Sequence, residues 1–356
     1  MPYQSHSHRV RLCLVFIGVL GVLVPPVNAF ELRGFADVSY QHDIHDNNVE
    51  ENNGAFAIGP VDFYVAESLG PRMDVLTEIA FESGIVDLER LQISYLFSDA
   101  LKVSAGRFHS SLGYWNTAYH HGAFLHTTIK RPFFLNFEDE GGVLPVHSVG
   151  LLASGRLFTD AGEFAYGAFV GNGSSISTGP PLELDPNNES DPNKNKAVGL
   201  RAMISPTGLH GWTVGASGYS SRVIDDQAPL TLDVTQTILG ADAVYLNGSI
   251  ELIAEYFLVR DKNKLGTDTT NNHLYYVQLG REFDGRVTPY VRHEQMSLDE
   301  SDPYMDALSA IDNRTETAGV RVRVGDQSVL KFEGRFITDN GSDSHQEYGA
   351  QWAFAF

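Results

Sequence analysis

Residues 345–356 read HQEYGAQWAFAF. Tyr348, Ala350, Trp352, Phe354 and Phe356 share one parity, while Glu347, Gly349, Gln351, Ala353 and Ala355 share the other. Successive side chains of an extended chain point to opposite faces, so this is a strand with an aromatic face and a small or polar face. Further back, Leu330, Phe332, Gly334 and Phe336 oppose Lys331, Glu333 and Arg335, and Ala318, Val320, Val322 and Val324 oppose Gly319, Arg321 and Arg323. Sixteen such segments follow one another, near 31–42, 55–67, 72–82, 87–98, 100–109, 147–158, 162–172, 195–205, 211–222, 233–246, 249–260, 272–283, 286–296, 313–324, 327–338 and 345–356. In the second, Gly59-Pro60 interrupts the phase and predicts a bulge.

The connections alternate between short and mostly long. Asn247-Gly248, Asp284-Gly285 and Gly325-Asp326 are tight hairpin signals, because such turns need residues that tolerate positive φ. Between them lie longer stretches, mostly rich in Asn, Asp, Gly and Ser, at 43–54, 110–146, 173–194, 223–232, 261–271 and 297–312. Tight turns on one rim and long loops on the other describe an all-β, closed antiparallel transmembrane β-barrel of about 16 strands, with short periplasmic turns and long extracellular loops. Segment lengths agree, because a tilted membrane-crossing strand needs roughly 9–11 residues. Backbone groups facing lipid must all be paired, so the first strand is expected to close the sheet against the last.

Composition is consistent with this reading. The 356 residues carry 45 acidic and 25 basic side chains, a formal charge of −20, which excludes a nucleic-acid binder working by general phosphate attraction. Repeated apolar runs long enough for helical membrane spans are absent. The single cysteine, Cys13, rules out a disulfide framework. At the N-terminus, Arg9 and Arg11 precede the apolar run Leu12–Val24, and Pro25-Pro26-Val27-Asn28-Ala29 follows. This pattern predicts a signal peptide over 1–29, leaving 30–356 as one outer-membrane domain.

The chain resembles the sixteen-stranded porins of Gram-negative outer membranes. Its last strand ends on Phe356 with aromatics in step, and its third long loop, 110–146, follows the fifth strand. The stretch from Gly106-Arg107-Phe108-His109 to Gly113-Tyr114-Trp115-Asn116-Thr117-Ala118-Tyr119-His120-His121-Gly122 is similar to porin-like proteins of unassigned substrate. The resemblance implies passive diffusion of small hydrophilic solutes or ions, a third loop folded into the lumen, and a homotrimer. It leaves open a plugged barrel with a structural or adhesive role, or an outer-membrane enzyme.

Assigning the polar phase to the lumen gives acidic Asp62, Asp74, Glu78, Glu251, Glu255 and Glu282, and basic Arg90, Arg156 and Arg201. The densest feature is basic: Arg292, Arg321, Arg323, Lys331 and Arg335 on three consecutive strands, with Glu294 and Glu333 on the same faces. Strands lie about 4.8 Å apart, so these charges need water or counter-charges. One reading is an electropositive wall of a constriction, opposed by Glu138, Asp139 and Glu140 on the third loop; such a field favours small polar solutes. The other is a salt-bridged lumen that only stiffens the barrel.

His109, His120, His121, His126 and His147 lie in or beside the third loop, but their spacing fits no metal motif. His120, His121 and His126 are therefore weak metal candidates, and no cofactor is expected. No nucleophile elbow, H-E-x-x-H or phosphate loop occurs, and the parity of Arg292-His293-Glu294 points His293 to the lipid side, so no catalytic residue is assigned. The expected partners are the lipid bilayer, lipopolysaccharide and small solutes. Asp185, Glu189, Asp191, Asp299, Glu300, Asp302 and Asp306 fall on the outer rim, where cation-bridged lipopolysaccharide phosphates are one use and solvated loops the other.

Overall fold

A strand with one apolar face must bury or cover it, and a sheet without edges satisfies every backbone group at once. The computed structural model shows this solution and describes residues 32–45, 54–82, 84–119, 122–176, 182–185, 195–225, 229–340 and 343–356. The expected signal peptide, His120 and His121 lie outside the described residues.

Sixteen antiparallel strands form one closed barrel. They are β1 (Arg33–His45), β2 (Gly54–Ile58 continued by Val61–Gly70), β3 (Met73–Glu82), β4 (Ile85–Ser98), β5 (Leu101–His109), β6 (His147–Thr159), β7 (Gly162–Gly171) and β8 (Ala197–Pro206). Then come β9 (Trp212–Asp225), β10 (Asp233–Leu246), β11 (Ile250–Asn263), β12 (Thr269–Arg281), β13 (Val287–Ser297), β14 (Asn313–Gly325), β15 (Ser328–Asp339) and β16 (Asp343–Ala355). A two-residue strand, Ser175–Ile176, adds a parallel pairing to the end of β9. The break in β2 falls at Gly59-Pro60, where the Gly59 amide donates to the Asp37 carbonyl at 3.0 Å.

Closure runs from Phe35↔Ala355 to His45↔His345 between β1 and β16. At the short-turn rim Gly34 and Phe356 exchange both backbone hydrogen bonds, at 2.9 and 3.0 Å, and the Phe356 ring meets Phe63 edge-on. Aromatic residues collect on that rim, with Phe97, Phe158, Phe283 and Trp352 all exposed, as an interfacial girdle requires.

Several strands run further toward the long-loop rim than hydrophobic alternation indicates. β11 continues through Arg260-Asp261-Lys262-Asn263, and β12 begins at Thr269. The ladder persists there although the outward side chains turn polar.

Burial alternates residue by residue along β12, β13 and β15. On β15, Val329, Lys331, Glu333, Arg335 and Ile337 are buried while Phe332 and Phe336 are exposed. The interior is not all polar. Phe257, Val259, Leu274, Tyr276 and Tyr219 face inward and form one apolar cluster with Leu112, Trp115, Phe134, Val143 and Leu144 of the 110–146 loop. Tyr304 and Met305, on the short helix Pro303–Ala307, join the same cluster.

Candidate functional site: the lumen and its third loop

Inward positions of β11 to β15 present an alternating set of carboxylates and cations, and residues 110–146 lie against them. Among the described residues of the loop there is one four-residue helix, Trp115–Ala118, and two single 3-10 turns, so most of their backbone groups need partners outside regular structure. Wall side chains supply them. Glu255 accepts the amides of Tyr114 at 2.6 Å and Trp115 at 2.8 Å, plus the Tyr276 hydroxyl at 2.7 Å. Glu333 accepts the amides of Ile129 at 2.8 Å and Lys130 at 3.2 Å, with the Tyr290 hydroxyl beside them at 2.8 Å. Glu294 takes the Phe133 amide at 2.7 Å. The cations serve the carbonyls. Arg292 donates to the carbonyls of Lys130 at 2.9 Å and Arg131 at 3.1 Å, Lys331 to those of Ala123 and Thr128, and Arg321 to that of Phe124 at 3.2 Å.

The five basic residues of the expected wall are thus brought to adjacent strands, but with a different partner from the one expected. Arg292 and Lys331 are 1% and 0% exposed, so they meet loop backbone and not open water. A buried cation needs an acceptor, and loop carbonyls provide it where solvent is excluded. Arg335 bridges Glu294 at 3.6 Å and Glu347 at 2.5 Å, and the exposed Arg323 pairs with Glu282 at 3.1 Å.

The acidic end of the loop is also turned to a local task. Glu138 is buried and accepts the amides of Val146 at 2.7 Å and His147 at 2.8 Å, with His147 Nδ1 at 3.0 Å. Burial pushes its carboxyl up, but the charge and hydrogen bonds of His147 outweigh this and leave it below the ordinary range. His147 Nε2 also pairs with Glu89 at 2.9 Å. Glu140 is exposed to the cavity described next, and the side chain of Asp139 lies outside the described residues.

Space remains on the opposite side of the loop. A cavity of about 490 Å³ lies between residues 122–140 and the wall built by β16, β1, β2 and β3. The wall contributes Asp37, Asp62 and Glu82, and the loop contributes Lys130 and Arg131. Acids therefore predominate on the wall, which adds Glu347 and one cation, Arg335, while the loop sets Lys130 and Arg131 beside Glu140. Burial pushes the Arg131 guanidinium down to about 10, opposed by Glu140, Glu138 and Glu89, so it stays charged at neutral pH. A second cavity of about 230 Å³ follows β4 to β8 and includes Arg90, Gln92, Ser111 and Arg201. Arg201 is held by Asp242 at 2.8 Å and donates to Thr117 at 2.9 Å, and Arg90 pairs with Glu78.

Lys130 and Arg131 were not singled out from the sequence, because a loop has no parity to say which way they point. Asp37 carried a usable signal, since it alternates with Val38 in β1. His126 packs 5.4 Å from the Trp115 ring, and burial with the nearby charges of Lys331 and Arg131 keeps its pKa well below the usual histidine value. No cluster of three metal-ligating side chains occurs among the described residues. Asp302 is not a solvated rim residue: it is buried, caps the helix Pro303–Ala307 and accepts Thr270 and Asn272 side chains at 2.7 and 2.6 Å.

No family model matches the chain, and no curated protein matches it. Solved structures do. An anion-selective porin from Comamonas acidovorans superposes with a TM-score of 0.64 at 11% identity, covering 92% of this chain and 99% of the porin. The trimer form of OmpT, an outer membrane protein of Vibrio cholerae, gives 0.62 at 12% identity over 92% and 98% of the two chains. Salmonella typhi OmpF, in complex with daunomycin, gives 0.56 at 13% over 91% and 97%. The chain has the fold of the porin-like outer-membrane barrels.

Proposed function

We propose that the protein is an outer-membrane porin that passes small hydrophilic solutes or ions by diffusion after loss of residues 1–29. The observation that carries this reading is the 490 Å³ cavity, where Asp37, Asp62 and Glu82 face Lys130 and Arg131. Opposed charges across a narrow aqueous gap order water and select solutes by charge and dipole. Glu140 and Glu347 add to the acids, and Arg335 to the bases, so the lining carries more negative than positive groups and favours cations. A homotrimer fits the porin fold and the trimeric OmpT neighbour.

The test is single-channel conductance of refolded 30–356 in a planar bilayer with a salt gradient. Discrete steps with a cation-favouring reversal potential are expected. Silence from protein shown to be folded and inserted overturns the porin reading. One observation favours the second reading, a plugged barrel with a binding role: the apolar cluster of Trp115, Phe134, Phe257, Tyr276 and Tyr304 fills part of the lumen. An enzyme is the remaining alternative, and turnover of phospholipid would reveal it.

A further inference from the structure

At the long-loop rim three buried, inward side chains stand in a row across adjacent strands. Gln236 of β10 is the cross-strand partner of Asp261 of β11, and Asp261 is the partner of Thr270 of β12. Side chains directly opposite one another in a sheet approach to about 5 Å. Asp302, also buried, meets this row from the loop 297–312. Its Oδ2 accepts Thr270 Oγ1 at 2.7 Å and Asn272 Nδ2 at 2.6 Å, and its Oδ1 accepts the amides of Tyr304 at 2.8 Å and Met305 at 3.3 Å. Thr270 Oγ1 also lies 3.3 Å from the Asp261 carbonyl, which ties the two acids together.

Four donors thus meet the charge of Asp302, and none meets that of Asp261. Although Asp261 is 1% exposed and Gln236 0%, neither carboxylate oxygen of Asp261 has a hydrogen-bond partner, and neither does the amide oxygen or nitrogen of Gln236. The charged group beside Asp261 is Asp302, a second acid. Buried polar groups are almost always partnered, and a buried charge is paired or bound to a metal. A single proton would neutralise Asp261 but serve one oxygen and leave the others bare. One cation serves the oxygens of Asp261 and Gln236 together. All are hard ligands. Calcium accepts six to eight such oxygens, at about 2.3–2.6 Å, in a flexible geometry that waters can complete, whereas magnesium demands a near-ideal octahedron.

We propose that Asp261, Gln236 Oε1 and Asp302 hold a calcium ion that fastens the loop 297–312 to β10, β11 and β12. The set differs from a cluster of His, Cys, Asp and Glu in drawing its third side-chain ligand from an amide. The Tyr304 hydroxyl, just beyond Asp302, donates to the Val143 carbonyl at 2.7 Å, so the same ion steadies the end of the lumenal loop. The site needs the folded barrel but not an open pore, so metal binding and conductance fail independently.

The experiment is calorimetric titration of refolded, chelator-stripped 30–356 with calcium chloride, and separately with magnesium chloride, with thermal unfolding followed in parallel. One calcium per chain should bind above the weak background of exposed acids, more tightly than magnesium, and should raise the thermal midpoint. Asp261→Asn should weaken this step by at least about tenfold, since the charge count of the oxygen ligands sets calcium affinity. It should also unfold at a higher temperature than metal-free wild type, because it removes one of two adjacent buried acids. Gln236→Met keeps the volume and loses the amide oxygen; it should weaken binding too, and it decides the matter if Asp261→Asn does not fold. Glu300→Gln, an exposed acid of the same loop, should leave binding unchanged. Unaltered heat-dependent electrophoretic mobility shows that the variants fold. Equal calcium affinity in wild type and the Asp261 or Gln236 variant, or equal binding of magnesium, overturns the proposal. A metal-free wild type whose midpoint ignores calcium and rises on acidification also overturns it, and marks a proton shared by the two acids.

Discussion

Glu255 reaches from β11 to the backbone amides of Tyr114 and Trp115, 2.6 and 2.8 Å away, and so fixes the first turn of the lumenal loop. Removing its carboxylate strands three donors, the two amides and the Tyr276 hydroxyl, and each one buried costs about 1–3 kcal/mol. Glu255→Ala should therefore loosen the loop without unfolding the barrel. The expected record is a larger, noisier single-channel conductance and a lower thermal midpoint. A quiet channel of unchanged size would mean that the apolar contacts of Trp115 alone hold the loop.

Lys331 and the Arg292 guanidinium act on the loop from the other side of the charge ledger. Lys331→Met removes a buried cation and leaves the Ala123 and Thr128 carbonyls without that donor. A buried acceptor left without its donor costs about 1–3 kcal/mol. Destabilisation should exceed that of Arg323→Ala, whose side chain is exposed. Thermal unfolding of the two variants side by side checks the order.

Selectivity should follow the residues around the open cavity. Lys130→Gln should raise cation preference, and Asp62→Asn should lower it. Arg321→Ala with Arg323→Ala should also shift permeability toward cations, but less than Lys130→Gln, because Arg321 is engaged with the Phe124 carbonyl and Arg323 with Glu282. Reversal potentials in a salt gradient read all three. An unchanged potential in Lys130→Gln would remove the loop from the selectivity mechanism.

Acid should act in two stages. His126 titrates lower folded than unfolded, so the unfolded chain binds the extra proton first, and stability falls as pH drops below about 6.5. Glu138 is also depressed, so its contribution is complete above about 4.3 and is lost as pH falls through the lower folded value. His126→Phe should remove the first stage, and Glu138→Gln the second. Tryptophan emission from Trp115 against pH, in wild type and both variants, separates them.

The strand plan was legible because lipid imposes a strict code. Val320 and Val322 must alternate with Arg321 and Arg323 wherever one face meets hydrocarbon and the other does not. The outer ends of β11 and β12 escaped that code, since Lys262 and Thr269 lie beyond the apolar band yet stay in the ladder. The lumen was harder to read. Parity correctly turned Arg292 and Lys331 inward, but whether an inward side chain meets water or a folded loop depends on contacts between residues far apart in the chain. For the same reason Asp302 looked solvated, although its cap and the Thr270 and Asn272 side chains bury it.

That separation along the chain has a temporal side. The Ile129 amide and its Glu333 acceptor are 204 residues apart, and Lys331 lies 208 residues from the Ala123 carbonyl it serves. Synthesis delivers the stretch 123–130 long before these two anchors on β15. Contacts of such range form late, after the entropy of closing the intervening chain has been met. A chain truncated before β15 therefore keeps the Glu255 grip on Tyr114 and Trp115 but leaves the stretch 123–130 without Glu333 and Lys331.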